Sequence, residues 1–111
     1  MDLLAKPTPE HLVVQVLADR IDAAGAIRFK DGMREITQRS SGPVLLDLSQ
    51  VRFLDSSGLG AVVAVMKLLG PDRRLELARL TPAVQKVFRL TRMDSIFTIH
   101  ETLPEGAPHA R

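Results

Sequence analysis

The sequence contains no cysteine, which excludes disulfide bonds, thiolate metal ligands and a cysteine nucleophile. It also contains no tryptophan or tyrosine and only four phenylalanines, so the side chains that usually stack on bases or sugars are nearly absent. The core must therefore be built mainly from Val, Leu, Ile, Ala and Met. Because the lack of cysteine is consistent with a reducing compartment, we expect a cytoplasmic protein.

Net charge is also small, because fifteen Lys and Arg are offset by thirteen Asp and Glu, which leaves +2. This balance gives little steering toward nucleic acid or anionic lipid, and no nucleic-acid partner is expected. The start, Met1 to Pro7, lacks the apolar stretch of a signal peptide. The longest nearly apolar run, Leu59 to Leu69, is too short to span a bilayer, so no direct membrane insertion is expected.

Length and apolar patterning predict one domain of alternating strands and helices. Strands are predicted at residues 12–17, 44–48, 75–80 and 96–99, with a short edge strand at 1–4. Helices are predicted at residues 22–39, 57–69 and 81–90, with Asp22 and Thr81 as N-caps. This order predicts an α/β fold with a mixed sheet of four to five strands and three to four helices. The domain is expected to span residues 1–103, followed by a disordered tail at 104–111.

The segment 44–70 carries the most informative pattern: a strand, a short loop, the sequence Asp55-Ser56-Ser57-Gly58, and then a helix. Asp and Ser are favoured at helix N-caps, and glycine allows close packing in the first turn. Taken alone, this motif requires no explanation beyond helix capping. Of the two serines, Ser57 is the one that we expect to cap the helix.

The surrounding sequence resembles the STAS family of anti-sigma-factor antagonists. The resemblance rests on the Asp-Ser-Ser-Gly-Leu-Gly run within Val51 to Gly60 and on Leu80 to Phe88, about twenty residues later. It also takes in Asp47-Leu48, the strand at 12–17, the helix entry at Ile21-Asp22 and the segment 96–99, so it covers nearly the whole chain. The resemblance implies a single STAS-type domain.

The resemblance also implies a partner switch controlled by phosphorylation. In that family the serine after the aspartate is phosphorylated by an anti-sigma factor that is itself a protein kinase, and the corresponding residue is Ser56. The unphosphorylated antagonist binds the kinase and frees a sigma factor, and a serine phosphatase resets it. Asp22, Asp55, Ser57 and Gly58 are expected to contact the partner. Because the ATP belongs to the partner, neither a cofactor nor enzymatic activity is expected of this chain.

Elementary electrostatics supports such a switch at Ser56. A phosphate would bring about −1.5 to −2 charges to a helix N-terminus, where free N–H groups and the helix dipole tolerate it. Binding should nevertheless suffer, since a partner packed against Ser56 would have to desolvate the new charge beside Asp55. We therefore expect phosphorylation to weaken association while the fold persists.

The helix that follows is apolar on most of its circumference. Leu59, Val62, Met66 and Leu69 form one stripe that we expect to face the core. The neighbouring uncharged strip is either also covered, by a third helix, or forms a docking surface beside Ser56. That strip consists of Ala61, Val65 and Leu68.

The chain departs from the family pattern in ways that bear on partner choice. The family usually has Gly-Glu before the Asp22 position, and here Asp19-Arg20 replaces an acidic contact by a basic one. Arg92 stands where a glycine commonly ends the third helix. Stand-alone STAS domains also serve as accessory subunits of lipid or solute ABC transport complexes, which is the main alternative function.

Catalytic, metal and nucleotide motifs are lacking. His11, His100 and His109 show no metal-ligand spacing and are expected at the surface or in the tail. Ser56 lies in no nucleophile-elbow motif, and there is no Walker or Gly-x-Gly-x-x-Gly sequence. The basic residues between 73 and 92 lack interleaved aromatics and indicate a solvated surface.

Overall fold

The computed structural model describes residues 1–103, which contain seven strands, three α-helices and one 3₁₀ helix. The strands are β1 (Leu3–Pro7), β2 (Leu12–Val16), β3 (Arg20–Ile21), β4 (Val44–Asp47), β5 (Phe53–Leu54), β6 (Leu75–Ala78) and β7 (Ile99–His100). The helices are α1 (Ala23–Gln38), α2 (Ser56–Leu69) and α3 (Pro82–Leu90), and the 3₁₀ helix is Met93–Ser95. The predicted tail at 104–111 lies outside the described residues.

Five strands form a mixed sheet in the order β1-β2-β4-β6-β7. β1 is antiparallel to β2, and the other neighbours are parallel, with Val14, Leu46 and Leu77 in register on adjacent strands. The short apolar runs of β2 and β4 suit central parallel strands, because both faces of such strands are covered. Every residue of β2, β4 and β6 is buried. The predicted mixed α/β fold is confirmed.

One face of the sheet packs against the helices and forms the main core. Its members include Phe29 and Met33 from α1 and Phe88 from α3. Phe88 meets Phe97 edge to face, with ring centroids 5.9 Å apart. Aliphatic residues make up most of the rest, as the scarcity of aromatics requires.

Asp22 and Thr81 occupy the N-cap positions predicted for α1 and α3, but only Asp22 caps its helix with its side chain. Asp22 caps α1, and its Oδ1 accepts a hydrogen bond of 3.0 Å from the Gly25 N–H. Thr81 has the extended backbone of an N-cap and precedes Pro82, but its hydroxyl donates to the Val51 carbonyl at 2.6 Å instead of capping α3. The third helix is therefore tied to the loop between β4 and β5.

The last strand is shorter and later than predicted. Residues 93–95 form the 3₁₀ helix, Ile96 is exposed, and Phe97 packs into the core before β7 pairs with β6. Arg92 precedes this turn with a φ of 61°, in the left-handed region that favours glycine. Arg92 thus adopts a backbone conformation that glycine takes more readily.

His11 and His100 lie beside a buried carboxylate, and only His11 departs from its predicted surface position, since the His100 side chain is 41% exposed. His11 and His100 both approach the buried carboxylate of Glu76, with Nε2 to Oε1 distances of 3.5 and 2.6 Å. Arg74 reaches the second oxygen of Glu76 at 3.3 Å. The prediction that His11 is a surface residue was wrong, because its side chain is largely buried against this carboxylate. His109 lies outside the described residues.

Candidate functional site

Two strand-to-helix turns lie side by side at the carboxyl ends of the parallel strands. β3 and β5 pair in parallel, with Arg20 opposite Phe53 and Ile21 opposite Leu54. Each strand is followed directly by an aspartate that caps the next helix, Asp22 for α1 and Asp55 for α2. The N-termini of α1 and α2 are therefore neighbours, and this end of the molecule concentrates the positive ends of two helix dipoles.

Asp55, and not Ser57, is the N-cap of α2. Its Oδ1 accepts a hydrogen bond of 2.9 Å from the Gly58 N–H, and its carbonyl accepts the first helical hydrogen bond from Leu59. The prediction that Ser57 caps the helix was wrong, because α2 begins one residue earlier, at Ser56. Ser56 and Ser57 are the first two helical residues, and both are exposed. Among the described residues, the structure records no hydrogen-bond partner for the Ser56 hydroxyl.

Gly58 fixes how closely α2 approaches β3. A Cβ at this position would lie 2.0 Å from the Ile21 carbonyl oxygen and 2.8 Å from Leu54 Cδ1. Gly58 is buried in this contact, so its predicted role in binding a partner was wrong. Its absent side chain lets the start of α2 lie directly against the backbone that leads to Asp22.

The exposed surface of α2 differs from the predicted strip. Ala61 and Val65 are buried in the core, Val65 being only 1% exposed, so for these two residues the structure supports the covered alternative and not the docking surface. They follow Gly58 at three- and four-residue intervals, which puts all three on one inward stripe. Leu68 is 47% exposed and remains available. Gly60 is also exposed, and a Cβ there would meet no atom within 4 Å.

A guanidinium and an aromatic ring flank the two caps. The Arg20 guanidinium lies over the Phe53 ring, 4.9 Å from its centroid, and its Nε is 3.2 Å from Asp22 Oδ2. Arg20 already stood out in the sequence as a basic residue just before Asp22, whereas Phe53 was not predicted as a functional residue. The available signal was a lone aromatic residue just before the Asp-Ser-Ser-Gly motif, in a chain with few aromatics.

Residues 1–103 contain no group of three or more acidic or histidine side chains placed to hold a metal ion. His100 contacts Glu76, which gives it a structural partner on β6 and not a role beside Ser56. Within the same range, each helix is too short or too polar to cross a membrane.

This chain belongs to the STAS domain family. Residues 5–101 match the family model described as "Mlab, STAS domain". In sequence it is similar to the anti-sigma-B factor antagonist of Listeria monocytogenes, with 34% identity over 92 residues that cover 81% of this chain and 79% of that protein.

Solved structures share the fold. An anti-sigma factor antagonist from Mycobacterium paratuberculosis matches with a TM-score of 0.81 and 27% identity, over 92% of this chain and 86% of that one. Unphosphorylated SpoIIAA matches with a TM-score of 0.70 and 22% identity, over 91% and 89% of the two chains. Phosphorylated SpoIIAA from Bacillus matches with a TM-score of 0.64 and 21% identity, over 91% and 92%.

Proposed function

We propose that this protein is a cytoplasmic anti-sigma-factor antagonist that binds a kinase-type anti-sigma factor and is released from it by phosphorylation of Ser56. A serine phosphatase would restore the binding form. The chain itself carries out no catalysis, and residues 1–103 form the functional domain. The observation that carries the proposal is the exposed Ser56 hydroxyl at the first position of α2, next to a capping aspartate.

The hydroxyl of Ser56 is suited to modification because the fold does not depend on it. Asp55 supplies the cap of α2, and the described residues give the Ser56 hydroxyl no hydrogen bond that a phosphate would break. The N–H groups of Ser56 and Ser57 lack partners within the helix and can donate to a phosphate. Phosphorylation should therefore leave the domain folded. The SpoIIAA structures support this expectation, because both the unphosphorylated and the phosphorylated form share the fold.

Binding, in contrast, should be sensitive to the phosphate. Asp22 and Asp55 already place two carboxylates at the paired helix N-termini. A partner protein that covers phosphorylated Ser56 would have to bury about two further negative charges beside these carboxylates. Burial of a charge is costly when no opposite charge or hydrogen-bond donor compensates for the lost water. The modification thus acts on the interface more than on the fold.

The exposed part of α2 offers a surface for the partner. Ser56 and Ser57 have small side chains and Gly60 has none, so a partner backbone can approach the first turns closely. Leu68 adds an exposed apolar contact near the other end of the helix. We include Asp22, Asp55, Ser56, Ser57 and Leu68 in the proposed partner-binding surface.

The test is phosphorylation mapping with the cognate anti-sigma kinase and ATP. Mass spectrometry should place one phosphate on Ser56 in the wild-type protein and in Ser57→Ala, and none in Ser56→Ala. Ser57→Ala is a matched control, because it removes the adjacent exposed hydroxyl and leaves the Asp55 cap in place. Phosphate on Ser57, or continued incorporation into Ser56→Ala, would refute the proposal.

A second candidate is an accessory subunit of a lipid or solute ABC transport complex, a role in which stand-alone STAS domains also serve. That role requires no phosphoserine. Affinity capture would then recover a transport ATPase. The wild-type protein and Ser56→Ala would behave alike in the phosphorylation assay, because neither would incorporate phosphate.

A further inference from the structure

The phenylalanine beside the proposed switch stands apart from the others. Phe29, Phe88 and Phe97 are buried, whereas Phe53 is 45% exposed. The Arg20 guanidinium lies over the Phe53 ring, with its Cζ atom 4.9 Å from the ring centroid. The Arg20 side chain is itself 58% exposed. Neither side chain belongs to the hydrophobic core. Phenylalanine and arginine are both enriched at protein interfaces, and arginine is among the residues that contribute most to binding energy there.

The pair lies beside Ser56 because of the strand register. Arg20 and Phe53 are opposite one another on β3 and β5, and Asp22 and Asp55 follow two residues later on each strand. Ser56 is the next residue after Asp55. A partner that covers the N-terminus of α2 would therefore also meet the exposed ring and guanidinium.

The hydrogen-bond donors and acceptors beside Ser56 that are not already used indicate which chemical group a partner would supply. Asp55 accepts from Gly58, and Asp22 accepts from Gly25 and pairs with Arg20 Nε. The terminal nitrogens of Arg20 make no recorded hydrogen bond to any of residues 1–103. The Phe53 ring and the Asp22 carboxylate hold the Arg20 guanidinium in place, and within the described part of the chain its terminal N–H groups remain free to donate. Such a guanidinium can bind a second carboxylate through two parallel hydrogen bonds.

We propose that Arg20 and Phe53 form a specificity anchor that selects a partner segment bearing an Asp or Glu side chain. The partner carboxylate would bind the terminal nitrogens of Arg20, and an aliphatic side chain next to it would pack on the Phe53 ring. Because Asp19 is also exposed and offsets the charge of Arg20, recognition depends on guanidinium geometry more than on a positive field. This inference rests on the proposed function and adds the chemistry of the partner to it.

The test measures the affinity of the cognate anti-sigma factor by titration calorimetry for the unphosphorylated wild type and four variants. Arg20→Glu should weaken binding by roughly 30-fold or more, and Phe53→Ala by roughly tenfold, as expected for interface anchors. Arg20→Lys should also weaken binding, because an ammonium cannot replace two-point contact with a carboxylate. Arg34→Glu is the matched control, since Arg34 is exposed on α1 about 16 Å along the helix from Ala23, and it should stay within about twofold.

Thermal unfolding of the same variants separates binding from folding. Melting temperatures within a few degrees of the wild type, together with the affinity losses, would support the anchor. Wild-type affinity in both Arg20→Glu and Phe53→Ala would overturn it, even if phosphate on Ser56 still released the partner. A wild-type protein that binds no anti-sigma factor would instead overturn the proposed function, and the anchor with it.

Discussion

Replacement of Gly58 by alanine tests the close contact that positions the proposed switch. The added Cβ would lie 2.0 Å from the Ile21 carbonyl oxygen and 3.0 Å from its carbon. Ordinary carbon-to-oxygen contacts are about 3.3 Å or longer, so α2 and β3 would have to move apart by about 1.3 Å. The obstacle is backbone, and a change of side-chain rotamer cannot relieve it.

The expected cost of Gly58→Ala follows from two opposing effects. Overpacking of this kind typically costs about 1–3 kcal/mol and sometimes more. Alanine recovers up to about 1 kcal/mol of helix propensity, and less in the first turn. We expect a net loss of about 2 kcal/mol, which lowers the melting temperature of a domain of this size by about 8 °C.

Gly60→Ala provides the matched control, because the same substitution two residues later meets no atom within 4 Å. It should raise stability by up to about 1 kcal/mol. Thermal and urea unfolding followed by circular dichroism would measure both variants. A Gly58→Ala protein as stable as Gly60→Ala would refute the inferred contact between α2 and β3.

The other predictions concern the core, the surface of α2 and one ionisable group. Leu46→Asp should unfold the domain, since Leu46 is fully buried in a central strand, and a soluble protein with cooperative melting would contradict this. Val65→Glu should likewise lower stability by several kcal/mol, whereas Leu68→Glu should change it by no more than about 0.5 kcal/mol, and equal melting temperatures would contradict the assignment of faces. Burial raises the pKa of Glu76, but the hydrogen bond from His100 and the nearby positive charges outweigh it and lower this pKa below its usual 4.5. Stability from this group is therefore present above about pH 4.5 and is lost as pH falls through the lowered value, so urea midpoints should fall less on acidification in Glu76→Gln than in the wild type.

Much of the fold could be predicted because strand burial and helix capping depend on residues that are close together in the sequence. The apolar run at 44–48 marked a buried central strand, and Asp22 marked the start of α1. β3 and β5 were missed because two-residue strands have no periodicity to detect, and only the pairing of distant segments forms them. Glu76 alternates with apolar neighbours and looks exposed in sequence, yet Arg74 and two histidines from other segments surround it.

The site was predicted less completely than the fold. Asp55, Ser56 and Ser57 are all favoured capping residues, so local preference does not choose among them. Asp55 caps the helix by accepting a hydrogen bond from Gly58, and Gly58 lies against the Ile21 backbone. That contact joins segments distant in the sequence, so local preference cannot predict it. Because α2 is apolar on most of its circumference, its periodicity does not show which face is buried, and the strip containing Val65 could be expected either in the core or at the surface.

The most direct measurement compares, by titration calorimetry, the affinity of the anti-sigma partner for the unphosphorylated protein and for protein carrying phosphate on Ser56. ATP is omitted so that the kinase cannot phosphorylate the protein during the titration. The proposal predicts binding weaker by roughly 30-fold or more after phosphorylation, and an intermediate loss for Ser56→Asp, which carries one negative charge. The melting temperature should change by no more than about 3 °C, since the Asp55 cap is retained. Equal affinity for the two forms, or loss of the folded state on phosphorylation, would contradict the proposed switch.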